Sequence, residues 1–471
     1  MNDKSGHEHH VTAPEDRVPL KKKILYGSGS FADMTWQWGL FALAFPVFNV
    51  IFGFSPILIG WVLGITRIWD AITDPLMGSI SDNSRTRFGR RRPYIALGAV
   101  LAGTFYAVLW LVPEGLSDRG FFIYFLVTSL LFYTSFTIFS VPFYALGYEM
   151  SPDYHERTKM MGVRIFANSF NGVIFFPWMF WLIQRSFWES PVVGVRVVGI
   201  GTGALMMILA VVPVVTIKER IKTFVQKQDR TPVVQSIKYT LSCKPFVYLM
   251  VAFLVAILLN TLVAASFVYP IAYILCDGDF QEASLWLGMA EATHHITTLI
   301  FITPVAILSR KIGKRRACMF YTCFIAIGSL LVFVCFNPDM PWLVTIPRVF
   351  LGIGWTGFWI LIPAMIADVV DYDESSTGTR REGMFGAVHF WVIKLGFAVG
   401  FMASGYVLAG TGFDIALDEQ LEGTVEDIIL FLTIIPAVGA AVAIFFISRY
   451  SLTEEQSYSM REELEKRRGV S

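Results

Sequence analysis

Apolar residues in this chain gather into long runs, and short polar stretches, many of them basic, punctuate those runs. A helix that crosses a membrane needs roughly 20 apolar residues, because the hydrocarbon core is about 30 Å thick and each residue rises about 1.5 Å. Twelve runs meet that length: 24–50, 57–81, 94–113, 121–147, 160–184, 197–217, 246–272, 283–308, 317–336, 343–366, 385–408 and 426–449. The pattern predicts an all-α membrane protein of twelve transmembrane helices. The first 23 residues are polar and hold no apolar run of the kind a cleavable leader carries. His7, His9 and His10 in that stretch read as a solvated tail.

Composition then removes whole classes of function. The chain is 55% hydrophobic and 16% charged, against about 25% charged for an ordinary soluble domain. A soluble enzyme and a disordered chain are both excluded. Lys plus Arg (38) almost cancels Asp plus Glu (37), so bulk charge points to no nucleic-acid partner. There is no phosphate-binding loop or nucleophile motif, so the expectation is transport without covalent chemistry and without a cofactor. Five cysteines, odd in number and without metal-ligand spacing, read as small core hydrophobes.

Loop charge sets the orientation. Lys21–Lys23, the arginines of loop 2–3, the 218–245 stretch, loop 8–9 and the C-terminal tail lie on one side, which holds 31 of the 38 basic residues. The other side holds Arg119, Arg185 and Arg196. Both termini are therefore expected in the cytoplasm, and the chain in the inner membrane.

A repeat divides the twelve spans. Loop 2–3 reads Arg87-Phe-Gly-Arg-Arg-Arg-Pro93 and loop 8–9 reads Lys311-Ile-Gly-Lys-Arg-Arg-Ala317, with Gly89 and Gly313 224 positions apart. Six spans, a polar linker and six more spans make two pseudo-symmetric six-helix bundles, the major facilitator plan, with the substrate site between the halves. The predicted units are a tail (1–23), a first bundle (24–217), a linker (218–245), a second bundle (246–449) and a tail (450–471). The same offset aligns Arg67 with Glu291, Asp70 with His294 and Asp74 with Thr298. It predicts that Glu291 and His294 face the central cavity.

Ionisable groups inside spans cost several kcal/mol, so they pair or line a water-filled path. Asp70 and Asp74 are four residues apart and share one helix face. Two carboxylates there repel, so either a cation sits between them or one holds a proton. Asp33, Asp70, Asp74 and Glu291 stand against Arg67, Arg164 and Lys394. One negative charge is left for a single Na⁺ or H⁺, with Arg348 read as snorkelling from the outer end of span 10. Thr73, Thr137 and Ser140 offer hydroxyl oxygens, which suit a hard cation. Trp36, Trp38, Tyr144, Trp355, Trp359 and Trp391 offer aromatic faces for a sugar ring.

Several stretches resemble one family. The run Arg67-Ile-Trp-Asp-Ala-Ile-Thr-Asp-Pro-Leu-Met-Gly78 is similar to helix 2 of the glycoside–pentoside–hexuronide:cation symporters, the melibiose permease group. So are Tyr26-Gly-Ser-Gly-Ser-Phe31, Ser151-Pro-Asp-Tyr-His-Glu-Arg-Thr158 and the 367–383 segment. The resemblance covers nearly all of 24–449. It implies the facilitator fold and cation-coupled uptake of a sugar or glycoside by alternating access; separately, the chain is expected to function as a monomer. By position it implies cation ligands at Asp70, Asp74, Thr73 and Thr137. It implies substrate contacts at Arg164, Tyr144 and Lys394, with Ser140 where the permease has a sugar-holding Asp. The permease's helix 1 sugar Asp aligns with Met34, and Asp33 is one residue off, a rotation of about 100° on a helix. Together with Trp391, Glu291 and His294, Asp33 completes the candidate substrate set.

Gly78-Ser-Ile-Ser-Asp82 and the arginines after it resemble the facilitator loop motif. Asp82, Arg90 and Arg91 on one half, and Asp368, Arg380 and Arg381 in loop 10–11 of the other, are candidate gating pairs. Weak exposed pairs suit a gate that must open in both directions. A carrier of lysolipids on the same scaffold and a non-transporting membrane sensor are the rival readings.

Overall fold

The computed structural model describes residues 17–84, 86–151, 154–217, 240–378, 381–417, 420–452, 456 and 459–460. Arg380, most of the predicted 218–245 linker and most of both predicted tails lie outside the described residues. Among the described residues, twelve helices are long and apolar enough to cross a membrane. They are α1 (Leu20–Ile51), α2 (Pro56–Asn83), α3 (Arg92–Leu109), α4 (Asp118–Gly147), α5 (Lys159–Ile183) and α6 (Pro191–Thr216). The second six are α7 (Lys244–Leu275), α8 (Phe280–Ile312), α9 (Lys314–Cys335), α10 (Pro341–Thr377), α11 (Glu382–Gly410) and α12 (Thr424–Ser448). The fold is the two-bundle facilitator arrangement. Below, the side carrying the Arg- and Lys-rich loops is the basic side.

Local chemistry starts and stops these helices. Ser117 and Ser190 cap α4 and α6 by accepting from the amides of Gly120 and Val193, and Asp279 caps α8 by accepting from Gln281 and Glu282. Proline stands in the first turn of α2, α6 and α10, where no amide proton is needed. The repeat glycines work alike: Gly89 at φ +110° and Gly313 at φ +82° turn the chain in a region that side chains avoid. Pro46 and Pro270 stand at the same 224-residue offset. Each lies where the α-helix gives way to a wider π-helical turn, at Phe45–Ile51 in α1 and Ile271–Leu275 in α7. A proline removes one helical hydrogen bond, and the turn widens to compensate.

Span 10 differs from its predicted end. It continues past 366 to Thr377, closed by Gly378 at φ +70°, whose amide donates to the Glu374 carbonyl at 2.8 Å. Asp368, Asp371, Asp373 and Glu374 therefore lie on a helix rather than in loop 10–11. No glycine or proline interrupts the backbone there, and a helix need not end where its apolar run does.

The two halves meet along α2 and α11. Away from the basic side their backbones approach closely, and a Cβ on Gly405 would run into the Pro56 carbonyl. Trp61 Nε1 donates to Tyr406 Oη at 2.9 Å along the same seam. Gly405→Ala is expected to cost about 1–3 kcal/mol through overpacking. It should lower the thermal midpoint of the purified protein; an unchanged midpoint would mean that the helices do not touch there.

Candidate functional site

Asp70 and Asp74 sit one turn apart on the face of α2 that looks at α4 and α11. Lys394 of α11 reaches across from the other half. Its ammonium makes three contacts, to the Asp74 Oδ2 at 2.6 Å, the Asp70 Oδ2 at 3.1 Å and the Asp70 backbone carbonyl at 3.0 Å. Three N–H donors meet three oxygens. Thr137 Oγ1 of α4 lies 3.3 Å from Asp70 Oδ1 and 3.1 Å from Asp74 Oδ1, and 3.3 Å from Thr73 Oγ1. Arg67 approaches Asp70 Oδ2 at 3.6 Å, donates to the Gln37 carbonyl at 3.3 Å, and lays its guanidinium over the Phe41 ring at 3.9 Å. The cation between the two carboxylates in this structure is thus the protein's own.

A second charged group lies in the first half. Asp33 of α1 is wholly buried and accepts from Tyr144 Oη, which sits 2.8 and 2.7 Å from its two oxygens. Arg164 of α5 stands 3.8 Å from the same carboxylate and stacks on the Tyr144 ring at 3.8 Å. The neighbouring Met34 turns the other way and lines the central cavity. The one-residue displacement of the acid therefore has its geometric consequence: Asp33 binds Tyr144, and Met34 holds the cavity position.

That cavity measures about 730 Å³ and lies between the halves. Its walls include Trp38 from the first half and Trp355, Trp359, Glu291, His294 and Arg348 from the second. Glu291 and Arg348 pair at 2.9 Å, and the Arg348 guanidinium covers the Phe267 ring at 3.8 Å. Asp33, Asp70, Asp74, Tyr144, Arg164 and Lys394 are not among its lining residues, though Trp38 lies 5.5 Å under the Arg67 guanidinium. Ser140 is buried within the first half and Trp391 is 60% exposed on α11, and neither lines the cavity. Trp36 is buried edge-on against Phe139.

Arg348 corrects the sequence expectation. It turns inward, because a carboxylate and an aromatic face await it there, and it does not snorkel. Away from their ends, the described spans then bring together four acidic and four basic groups in three clusters: Asp70 and Asp74 with Lys394 and Arg67, Asp33 with Arg164, and Glu291 with Arg348. The unbalanced negative charge expected from the sequence is absent among these groups.

Several ion pairs of the described residues on the basic side lie within one half. Arg91 meets Asp82 and Glu149, and Arg90 meets Glu149. Lys314 meets Asp368 at 2.7 Å, and Arg381 meets Asp373 at 2.6 Å. Glu149 and Lys314 are the partners that the gating motifs alone do not supply. The 224-residue offset carries Arg90 onto Lys314 and Glu149 onto Asp373, and that was the signal available for them. Among the described residues, contacts that join the halves at mid-depth or farther from the basic side include Lys394 with Asp70 and Asp74, Phe41 with Phe401, and the Tyr269 hydroxyl donating to Asn49 at 2.6 Å.

The same side holds a buried acid ahead of α5. Burial acts to raise the Glu156 carboxyl, but Lys159, Lys23 and the Val18 amide all bond to it and hold it down at about 2, below its ordinary 4.5. A depressed acid stabilises the fold above its ordinary value, and that contribution is lost as pH falls toward 2. Glu156→Gln is expected to release the segment around Val18–Lys23. At about pH 8 trypsin should then cut at Lys21–Lys23 several-fold faster than in the parent. Equal cutting rates in both proteins would remove this tie.

Residues 25–454 match a family model described as MFS/sugar transport protein. A protein of Bacillus subtilis (strain 168) named Uncharacterized symporter YnaJ is 26% identical over 456 residues, which cover 96% of each chain. One of Escherichia coli (strain K12) named Putative glycoside/cation symporter YagG is 26% identical over 461 residues, again 96% of each. Among solved structures, the inward open conformation of the xylose transporter XylE from E. coli superposes with a TM-score of 0.63 at 15% identity, over 94% of this chain and 99% of that one. That likeness is one of fold.

Proposed function

Because the chain belongs to the MFS/sugar transport protein family, a multi-pass transporter family and not an enzyme family, we propose that it is a secondary symporter of the inner membrane. In this reading an inward gradient of Na⁺ or H⁺ drives uptake of a sugar or glycoside. The observation that carries it is the closure of two α2 carboxylates on one α11 ammonium, across the line between the halves.

The oxygens around that ammonium are the ligands a hard cation prefers: carboxylates of Asp70 and Asp74 and the hydroxyls of Thr137 and Thr73. A Na⁺ arriving there, or a proton on one carboxylate, removes the reason for Lys394 to stay. The lysine then leaves α2, and the tie between the halves changes with the state of the ion site. An ion can alter the equilibrium between conformations only through such a difference in contacts. In this reading Arg164, whose side chain is partly exposed, offers donors to the sugar from beside the cavity, and Asp33 and Tyr144 hold it in position. The Trp38, Trp355 and Trp359 rings provide faces for the sugar ring.

The basic side is the cytoplasmic side in this reading, so both termini are cytoplasmic. With each half tied to itself there, the conformation is inward-facing. One chain holds both halves of the site and acts as a monomer. The test is uptake by reconstituted vesicles, using a panel of radiolabelled glycosides with an imposed Na⁺ or pH gradient. Accumulation that requires one of the two gradients is expected. Flux of every sugar at the same rate with and without both gradients would overturn the proposal.

A further inference from the structure

Beyond the cavity, away from the basic side, a buried hydrogen bond joins the halves. The Tyr269 hydroxyl of α7 donates to Asn49 Oδ1 of α1 at 2.6 Å, and both side chains are buried. Each partner is set in place by its own half. The Asn49 amide nitrogen donates to the Phe54 carbonyl at 2.8 Å, which leaves its oxygen aimed at α7. The Tyr269 ring packs at 4.4 Å on Phe413, which follows α11. Asn49 lies in the π-helical turn of α1, and Tyr269 stands just before that of α7. Pro46 and Val268 still line the cavity, whereas Asn49 and Tyr269 are not among its lining residues. The bond therefore sits directly behind the cavity's outer wall. The 224-residue offset carries Asn49 onto Tyr273, and Tyr273 accepts from Gln420 of its own half at 3.4 Å.

We infer that the Tyr269–Asn49 hydrogen bond is the latch of an outer gate and sets the balance between inward- and outward-facing states. The inference rests on the inward-facing reading above and names the residues that hold that state. The energetics of the latch are asymmetric. With the outer ends of α1 and α7 together, hydroxyl and amide oxygen are buried and have each other. When the ends part, water enters and each group exchanges its partner for water at little net change. Removing one partner therefore leaves an unsatisfied polar atom in the closed state and costs the open state almost nothing. An interaction made in one state alone moves the equilibrium by its whole strength. The π-helical turns are the joints: the ends beyond them can swing while the cavity-lining part of each helix keeps its packing.

The experiment reads the gate without a substrate. Ala264 of α7 lines the cavity, and no cysteine is among the lining residues. Ala264→Cys in the full-length protein serves as the reference, and a charged, membrane-impermeant methanethiosulfonate is the probe. Its reaction rate is measured in right-side-out and inside-out membrane vesicles, less the rate of the native protein. The reference should react about tenfold or more faster from the basic side. Adding Tyr269→Phe should raise the rate from the opposite side about tenfold and should not raise it from the basic side. Asn49→Ala should act in the same direction, and it reads the same bond should Tyr269→Phe not fold. The two changes together should be no faster than the faster of them alone, because they remove one interaction. Tyr273→Phe, which alters a contact within the second half, should match the reference.

An outer-side rate unchanged by both single substitutions overturns this inference alone. So does a rise of equal size from both sides, which would mark a loosened fold, and so do effects that add in the double variant or a Tyr273→Phe rise as large as that of Tyr269→Phe. A reference thiol that already reacts equally fast from both sides would overturn the inward-facing reading itself, and the latch with it.

Discussion

Replacing Asp74 with asparagine is expected to leave a carrier that equilibrates its substrate but no longer concentrates it. Asp74 gives Lys394 its shortest contact, at 2.6 Å, and gives Thr137 an acceptor at 3.1 Å. An amide keeps the shape and removes the charge. Loss of a charged ligand weakens cation binding by roughly 10- to 100-fold. Asp70→Asn should do the same and should also leave Arg67 with only the Gln37 carbonyl and its aromatic neighbours. The measurement is gradient-driven accumulation set beside substrate exchange at equal concentrations. Accumulation should disappear in both variants while exchange persists. Full accumulation by both would remove the α2 carboxylates from the coupling mechanism.

Lys394→Met should have the largest effect on stability. It leaves two carboxylates facing each other with only Arg67 and a hydroxyl for company. Breaking a buried ion pair costs about 3–5 kcal/mol, and the lower figure applies here because the Asp74 side chain is 36% exposed. The loss should be reversible by the coupling ion itself, because a ligand that binds only the folded state stabilises it in proportion to its concentration over its dissociation constant. The thermal midpoint is followed in choline buffer, in Na⁺ and at lowered pH. Rescue by Na⁺ at neutral pH marks a sodium carrier. Rescue by acid alone marks a proton carrier. A variant as stable as the parent in all three buffers would show that Lys394 does not hold the two acids.

The scaffold was legible because its signals are long. A 20-residue apolar run survives errors of several residues at each end, and the repeated Gly89 and Gly313 motifs fix the pairing of the halves. The α2 carboxylates were legible for a related reason: two acids one turn apart in an apolar helix admit few structural uses. What escaped depends on direction, which a sequence does not carry. Arg348 near a helix end reads as a snorkelling cation, and only packing shows that Glu291 and Phe267 lie within its reach. Asp33 and Met34 differ by one position, and only the rotation of α1 decides which of them meets Tyr144. The acids after Ile366 looked like a loop, because hydropathy reports the width of the membrane and not the length of a helix.

The even balance of buried charge has an electrical consequence. With four positive and four negative groups in the three clusters deep inside the described spans, those clusters carry no net charge when the empty carrier reorients, and the membrane voltage does no work through them on that step. A bound Na⁺ adds one charge, and a potential of 100 mV then acts on the loaded step with about 2.3 kcal/mol if that charge crosses the whole field. Voltage would thus hasten the loaded carrier on its way inward and leave the return of the empty one to thermal motion alone.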